Sequence, residues 1–432
     1  MTVVGETHNV VDAPYRWMDQ KVQLRAEAAA YRGEIVEHLI YAEIEKIIAS
    51  NESPDLQGFV GRVLSESSED VKDPKLPINP HSVILESTTG QNAGKRKVKL
   101  FLHECPEYIL YAGQIVGAVG RLMAAGRELH AQKLVCGAPI PEIKMLASAP
   151  TAPVHVSIAA GPYSPENMLI FDSISELEAR VRSEHAPDVL IVLGPFLDVN
   201  HPSVASGIVM DSFNRPASFE DIYREEIIPK LARLARACEN ARTELYLVSS
   251  TNEARISLPL PQPPLNTLAV DLWSFLVKEL PQSVKYLSNP SFIRIADIDI
   301  YVTSTDALSA VNSNVLFKQS SEEGSLNRVD ACLDQFLRSR TIFPVNPCGL
   351  RIEPSERHRL ELPEAELPHV IISPSLAGKR FIKKVSGRVF VNPGFMSDAS
   401  GTNSSMAQLV INPTTTDQTD IYSRISGELV KL

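Results

Sequence analysis

Cysteine is scarce and scattered in this chain. The five thiols, Cys105, Cys136, Cys238, Cys332 and Cys348, show no Cys-x-x-Cys spacing. That argues against a zinc module or a disulfide framework and leaves them as buried or idle thiols. No run of about eighteen apolar residues occurs, so no membrane-crossing helix is expected. The first residues, Met1-Thr2-Val3-Val4-Gly5-Glu6, lack a basic region followed by an apolar stretch, and the chain reads as intracellular and soluble. Positive charge is also short: 42 Lys and Arg stand against 52 Asp and Glu, a formal net charge of −10. Affinity for nucleic acid comes mainly from cations that displace counterions from phosphates. The chain as a whole is therefore repelled by DNA, and any contact falls to a local patch or a partner. Nucleophilic and phosphate-cradling motifs are missing too, with neither Gly-x-Ser-x-Gly nor Gly-x-x-x-x-Gly-Lys present.

What is present is a globular composition. With 432 residues and 44% apolar content, the chain is long enough for two to three domains. Residues 1–55 read as a helical N-terminal segment, in which Trp17, Leu24, Ile35, Leu39, Ile40, Ile44 and Ile47 recur by threes and fours among charges. Residues 56–150 change period to short β-branched runs, such as Phe59-Val60-Gly61-Arg62-Val63-Leu64 and Ser82-Val83-Ile84-Leu85-Glu86, separated by turns. Five such runs predict a small closed barrel of the oligonucleotide-binding type. Residues 151–432 alternate apolar strand, turn and helix, which predicts layered α/β sheets covered on both faces. The expected strands are Val154 to Ala159, Val189 to Leu193, Glu244 to Val248, one run from Ile293 to Val302, Val370 to Ile372 and Arg388 to Val391. Helices are expected at Ser173 to Val181 and Phe219 to Ala237, and the proline-rich piece Leu258 to Pro264 is expected to be a surface loop.

The turns after these strands form an ordered set: Gly161-Pro162-Tyr163, Gly194-Pro195-Phe196-Leu197-Asp198 with His201-Pro202, Pro261-Gln262-Pro263-Pro264, Thr303-Ser304-Thr305-Asp306 and Val391-Asn392-Pro393-Gly394. With Tyr111-Ala112-Gly113-Gln114 in the barrel region, this set resembles the B-subunit family of the eukaryotic replicative DNA polymerases, most nearly that of DNA polymerase alpha–primase. The resemblance implies an oligonucleotide-binding barrel packed on an inactivated, calcineurin-like metallophosphoesterase domain, acting as a non-catalytic subunit. Implied partners are the C-terminal domain of the polymerase alpha catalytic subunit and, within the complex, the primase subunits. DNA is met indirectly or weakly, no membrane is involved, and the implied location is the nucleus. Zinc in such a complex belongs to the catalytic subunit. Two departures stand out. Alpha-type members usually begin with a separate helical domain and linker, whereas only about fifty residues precede the barrel here. The third turn, Ser249-Ser250-Thr251-Asn252-Glu253, replaces an Arg-Asp pair.

A binuclear phosphoesterase places Asp-x-His, Gly-Asp-x-x-Asp, Gly-Asn-His and Gly-His-x-His at successive strand ends, because two cations that activate a bridging water need oxygen and imidazole donors there. Here the degenerate positions are Gly161, Pro162, Pro195, Asp198 and Asn252. Proline has replaced the bridging carboxylate, Asn252 precedes Glu253 rather than histidine, and Ser373-Pro374-Ser375-Leu376 carries no histidine at all. Asp198 and His201, three apart, are too few to hold a metal tightly, and Asp198 reads as a turn-bonding or helix-capping residue. No catalytic residue, resident metal or cofactor is expected. Ser304 and Ser373 read as turn residues, and His155 and His185 as structural.

Three other readings remain open: a delta- or epsilon-type B subunit, a metal-dependent phosphodiesterase or nuclease with an unusual site, and a single-stranded DNA-binding protein. The last would use Gly94-Lys95-Arg96-Lys97-Val98-Lys99 with Phe59, Phe101, Tyr108 and Tyr111, against a plainer reading of these as a solvated hairpin and barrel core.

Overall fold

The computed structural model describes residues 4–12, 22–51, 55–65, 78–87, 96–143, 150–256, 258–268, 278–345, 349–362, 367–397, 404–413 and 421–431. Trp17, the side chains of Leu24 and Ile35, Gly94, Lys95 and Cys348 lie outside what is described.

The chain opens with strand β1 (Val4–Asn9) and then a long helix, α1 (Val22–Ala49). Val36, Ile40, Ile44 and Ile47 are buried along one side of α1, the spacing of an apolar stripe. That stripe lies on the barrel at close range. A Cβ on Gly58 would stand 2.3 Å from the Ile44 side chain, and one on Gly117 2.5 Å from it, so two glycines let the helix settle there.

The barrel is formed by β2 (Leu56–Ser65), β3 (Val83–Ser87) and β4 (Lys97–Phe101), then, after the short β5 (Tyr108–Leu110), by β6 (Ile115–Met123) and β7 (Glu128–Val135). It closes in the order β2-β3-β4-β7-β6. Val63, Leu85, Val98, Leu100, Val116 and Leu129 fill its interior, while Val60, Ile115 and Val119 point to the other side and pack against α1, as the alternation of strand side chains requires.

The body follows with β8 (Val154–Ala160), β9 (Val189–Leu193), β10 (Glu244–Val248), β11 (Lys285–Leu287), β12 (Ser291–Ile295) and β13 (Ile298–Val302). Next come β14 (Leu316–Lys318), β15 (Val370–Ile372), β16 (Phe381–Val385), β17 (Arg388–Asn392), β18 (Ser405–Ile411) and β19 (Ile425–Lys431). Two six-stranded sheets result, β1-β12-β13-β15-β17-β16 and β11-β10-β9-β8-β18-β19. Val156, Ile158 and Ile191 of one meet Ile300, Val370 and Val391 of the other in a shared core. Helices α2 (Asp172–Val181) and α3 (Ile228–Ala241) cover one outer face, and α4 (Arg328–Arg338) covers the other. Both faces of β9 are therefore enclosed and all five of its residues are buried, which is why it reads as an uninterrupted apolar run. Each such aliphatic side chain contributes about 1.5–3 kcal/mol.

Barrel and body are joined by hydrogen bonds as well as by packing. β5 pairs antiparallel with β14, the Gln114 amide donates to Gln335 Oε1 at 2.9 Å, and the Tyr111 and Ser339 hydroxyls lie 2.6 Å apart.

Three expectations change. Residues 1–55 are not purely helical, since β1 joins the body by pairing with β12; its sequence carries little alternation, and the exposed edge of β12 supplies the partner. The run Ile293 to Val302 is a hairpin, turned at Ala296 with φ 54°, and Asp297 in that turn is buried against Arg424. The proline-rich segment is not on the surface. Leu260, Pro261, Gln262, Pro263 and Pro264 are all buried, with backbone bridges from Leu260 to Ile352 and from Gln262 to Asn289 answering the polar groups that burial would orphan.

Candidate functional site

The turns singled out in the sequence converge at the C-terminal ends of β8, β9, β10, β13 and β17. The first two are packed backbone on backbone. A Cβ on Gly161 would lie 2.0 Å from the carbonyl oxygen of Pro195, so the Gly-Pro turns touch where only a hydrogen at Cα fits. Gly161-Pro162 and Gly194-Pro195 are both cis. Tyr163 stacks on Phe196 with ring centroids 5.6 Å apart, and its hydroxyl donates to the Leu193 carbonyl at 2.9 Å.

Glu253 closes the second turn from beneath. The Phe196 and Leu197 backbone N–H groups donate to its two carboxylate oxygens at 2.9 and 2.8 Å, and the Tyr223 hydroxyl donates to Oε1. Burial pushes Glu253 up to about 7, against the lowering effect of these three hydrogen bonds, with the nearby Asp198 charge adding to the rise. Burial, with the Glu253 charge beside it, also drives Tyr223 well above the ordinary phenol value.

Asp198 bonds within its own turn, accepting from Asn200 N and Nδ2 at 2.9 and 3.1 Å. Burial raises its carboxyl above the ordinary range. It does not cap the following helix. That role falls to His201, whose Nδ1 accepts from Ser203 N at 3.2 Å at the start of the short helix Pro202–Ala205. His201 Nε2 lies 2.9 Å from the Pro165 carbonyl. Both ring nitrogens are thus engaged away from Asp198. Asn252 is exposed, while its neighbour Glu253 turns inward.

The remaining strand ends are filled by an uncharged network. Asn289 Nδ2 donates to Gln262 Oε1 and to Ser304 Oγ, each at 2.9 Å, and Asn289 Oδ1 accepts from Thr303 Oγ1 at 2.8 Å. Ser304 Oγ donates to the Ser249 carbonyl at 2.6 Å, joining the end of β13 to the end of β10 across the two sheets. Asn392 Oδ1 accepts from Ser375 N and Gly394 N, both at 3.1 Å. Ser373 donates to the Thr305 carbonyl, so Ser304 and Ser373 act as turn residues. Carboxylates clustered without a cation repel one another; amides and hydroxyls fill the same space without that cost.

The basic run is engaged in the barrel where it is described. The Arg96 guanidinium lies over Phe59 and donates to the Gly126 carbonyl at 3.1 Å, and Lys97 lies 3.6 Å from Glu86. Phe101 is stacked on His130 and Tyr111 is buried. Among the described residues, these aromatics offer no open row of stacking faces.

Residues 156–383 match the family model of the B subunit of DNA polymerase alpha/epsilon, more than half of the chain. The chain belongs to that family. Residues 38–137 match a second model, the OB domain of the DNA polymerase alpha B subunit, and take in part of α1 with the barrel. The B subunit of DNA polymerase alpha from Schizosaccharomyces pombe is 27% identical over 371 residues, 82% of this chain and 59% of the relative. That of Mus musculus is 29% identical over 325 residues, 73% of this chain and 49% of the relative. The chain thus spans about half of the length of these relatives. An archaeal phosphodiesterase of solved structure aligns with 65% of this chain and 100% of its own, at 10% identity and a TM-score of 0.29, too low a likeness to add to the assignment.

Within this alpha/epsilon B-subunit chain, the sequence marks the positions of Gly161, Pro162, Pro195 and Asp198. It does not mark Glu253, Gln262 or Asn289 as their supports. A glutamate following a polar run carries no local pattern, and its burial depends on Tyr223 arriving from another segment. Gln262 stands among prolines that read as surface.

Proposed function

We propose that this B-subunit chain is a non-catalytic scaffold of DNA polymerase alpha–primase, an oligonucleotide-binding barrel on an inactivated, calcineurin-like phosphoesterase body. It holds the C-terminal domain of the polymerase alpha catalytic subunit and, within the complex, the primase subunits, in the nucleus, with DNA met indirectly or weakly, and so supports primer synthesis. The observation that carries the reading is Glu253. Its carboxylate is committed to the N–H groups of Phe196 and Leu197, in the turn where an active relative needs carboxylates directed at metal. The net charge of −10 also favours a protein partner over nucleic acid.

The test is light scattering on a size-exclusion column, with this chain alone and mixed with the C-terminal domain of a polymerase alpha catalytic subunit from the same source. A one-to-one peak that survives high salt is expected, since an apolar interface is not screened. Separate elution overturns the alpha scaffold role and turns attention to delta and epsilon partners.

A further inference from the structure

A second group of chemically competent side chains lies on the barrel, away from the strand-end turns. His103 and Glu104 stand in the turn that follows β4, and His130 lies on β7, opposite Phe101 in the parallel β4/β7 register. One donor atom from each of the three comes within 4.8 Å of the others. We propose that His103, Glu104 and His130 form a zinc site that ties the turn after β4 to β7.

The donor set and its supports both favour this. Two imidazoles and one carboxylate select a borderline transition-metal dication over magnesium or calcium, which prefer oxygen alone. Three protein donors leave one position of tetrahedral zinc for water or another group. The His130 ring is held by stacking on Phe101, 4.6 Å between centroids and 8° between planes, and His103 approaches it edge-on at 5.4 Å. Gln132 Nε2 donates to Glu104 Oε2 at 3.1 Å, an outer hydrogen bond of the kind that orients metal-binding carboxylates. Glu104 Oε1 already lies 3.5 Å from His103 Nε2. Zinc needs about 2.0–2.2 Å to each donor, and the exposed side chains of His103 and Glu104 can close the remaining gap by rotation. Among the charges nearby, Glu128 lies 3.9 Å from His130 Nε2 and adds negative potential. Arg121 lies 3.7 Å from Glu104 Oε2 on a mostly exposed side chain, and gives way when the cation binds.

A ligand that binds only the folded chain raises its melting temperature by mass action. The full chain is dialysed against zinc chloride at neutral pH, its bound zinc is counted by elemental analysis, and its melting temperature is recorded with zinc and with magnesium. The wild type is expected to retain one zinc per chain more than His103→Ala or His130→Ala, and to show a zinc-dependent rise in melting temperature that both variants lose. Magnesium is expected to give no rise. Glu104→Gln is expected to weaken zinc binding at least tenfold. Circular dichroism checks folding, and if His130→Ala unfolds, the exposed His103→Ala decides the matter. Equal zinc in wild type and His103→Ala, no zinc in the wild type, or an equal rise with magnesium overturns the site.

Discussion

Gly161 and Pro195 are in backbone contact across the ends of two neighbouring strands, so close that a methyl group on Gly161 would stand 2.0 Å from the Pro195 carbonyl oxygen. Neither partner is a flexible side chain, and both strands are enclosed by core on each face. Gly161→Ala is therefore expected to destabilise the body by ~2–3 kcal/mol through overpacking. Thermal unfolding measures it; a melting temperature equal to the wild type would mean the two turns separate freely.

Glu253 gives a pH-dependent expectation. Its ordinary value is 4.5 and burial raises it to about 7, so the folded state binds its proton more tightly than the unfolded state. The stabilisation from that proton is complete below about pH 4.5 and is lost as pH rises through 7. Glu253→Ala leaves the Phe196 and Leu197 N–H groups buried without an acceptor, at about 1–3 kcal/mol each. The stability gap between wild type and variant should be widest near pH 4.5 and should narrow toward pH 7.5. Urea unfolding across that range checks it, and a gap that widens with pH contradicts the burial argument.

Asp198 is expected to be dispensable for phosphoester chemistry. Its carboxylate is occupied by Asn200, the adjoining Glu253 carboxyl is held by the Phe196 and Leu197 N–H groups, and the remaining strand ends are filled by amides and hydroxyls. Wild type and Asp198→Ala should both hydrolyse bis(p-nitrophenyl) phosphate at the buffer rate in the presence of manganese. Manganese-dependent turnover that disappears in the variant would restore the active-enzyme reading.

At the junction of barrel and body, Gln335→Ala removes the acceptor of the buried Gln114 amide, which keeps its 3.3 Å bond to the Ile109 carbonyl. A cost of ~1 kcal/mol is expected. Because β5 belongs to the barrel side and pairs with β14 of the body, amide hydrogen exchange should quicken in both strands together. Faster exchange in β9 rather than in β5 and β14 would place the loss elsewhere.

The sequence is most legible where burial is regular. Val189 to Leu193 declares a doubly covered strand by composition alone, and Ile40, Ile44 and Ile47 declare the buried side of α1. It is least legible where structure depends on distant pairing. β18 and β19 escape a reading by pattern because each is defined by its neighbour, whereas α4 carries an apolar stripe, Val329, Cys332, Leu333, Phe336 and Leu337, that spacing by threes and fours makes legible. The site divides the same way. Pro195 and Asp198 sit beside an obvious strand and stand out, whereas Gln262 and Asn289 act across 27 residues of chain and have no spacing to announce them. His103 and Glu104 are adjacent, but only the β4/β7 register brings His130 to them.

The strand that opens the chain has a consequence for synthesis. β1 emerges before the barrel, yet its partner β12 lies beyond the entire barrel, and the Val10 to Ser288 hydrogen bond that follows β1 spans 278 residues. At about 5–20 residues per second, the ribosome must work for roughly a quarter of a minute to a minute before that edge can be covered. The barrel, complete by Val135, has every partner it needs long before then, so it can be finished while the nascent body still waits for its first strand to return.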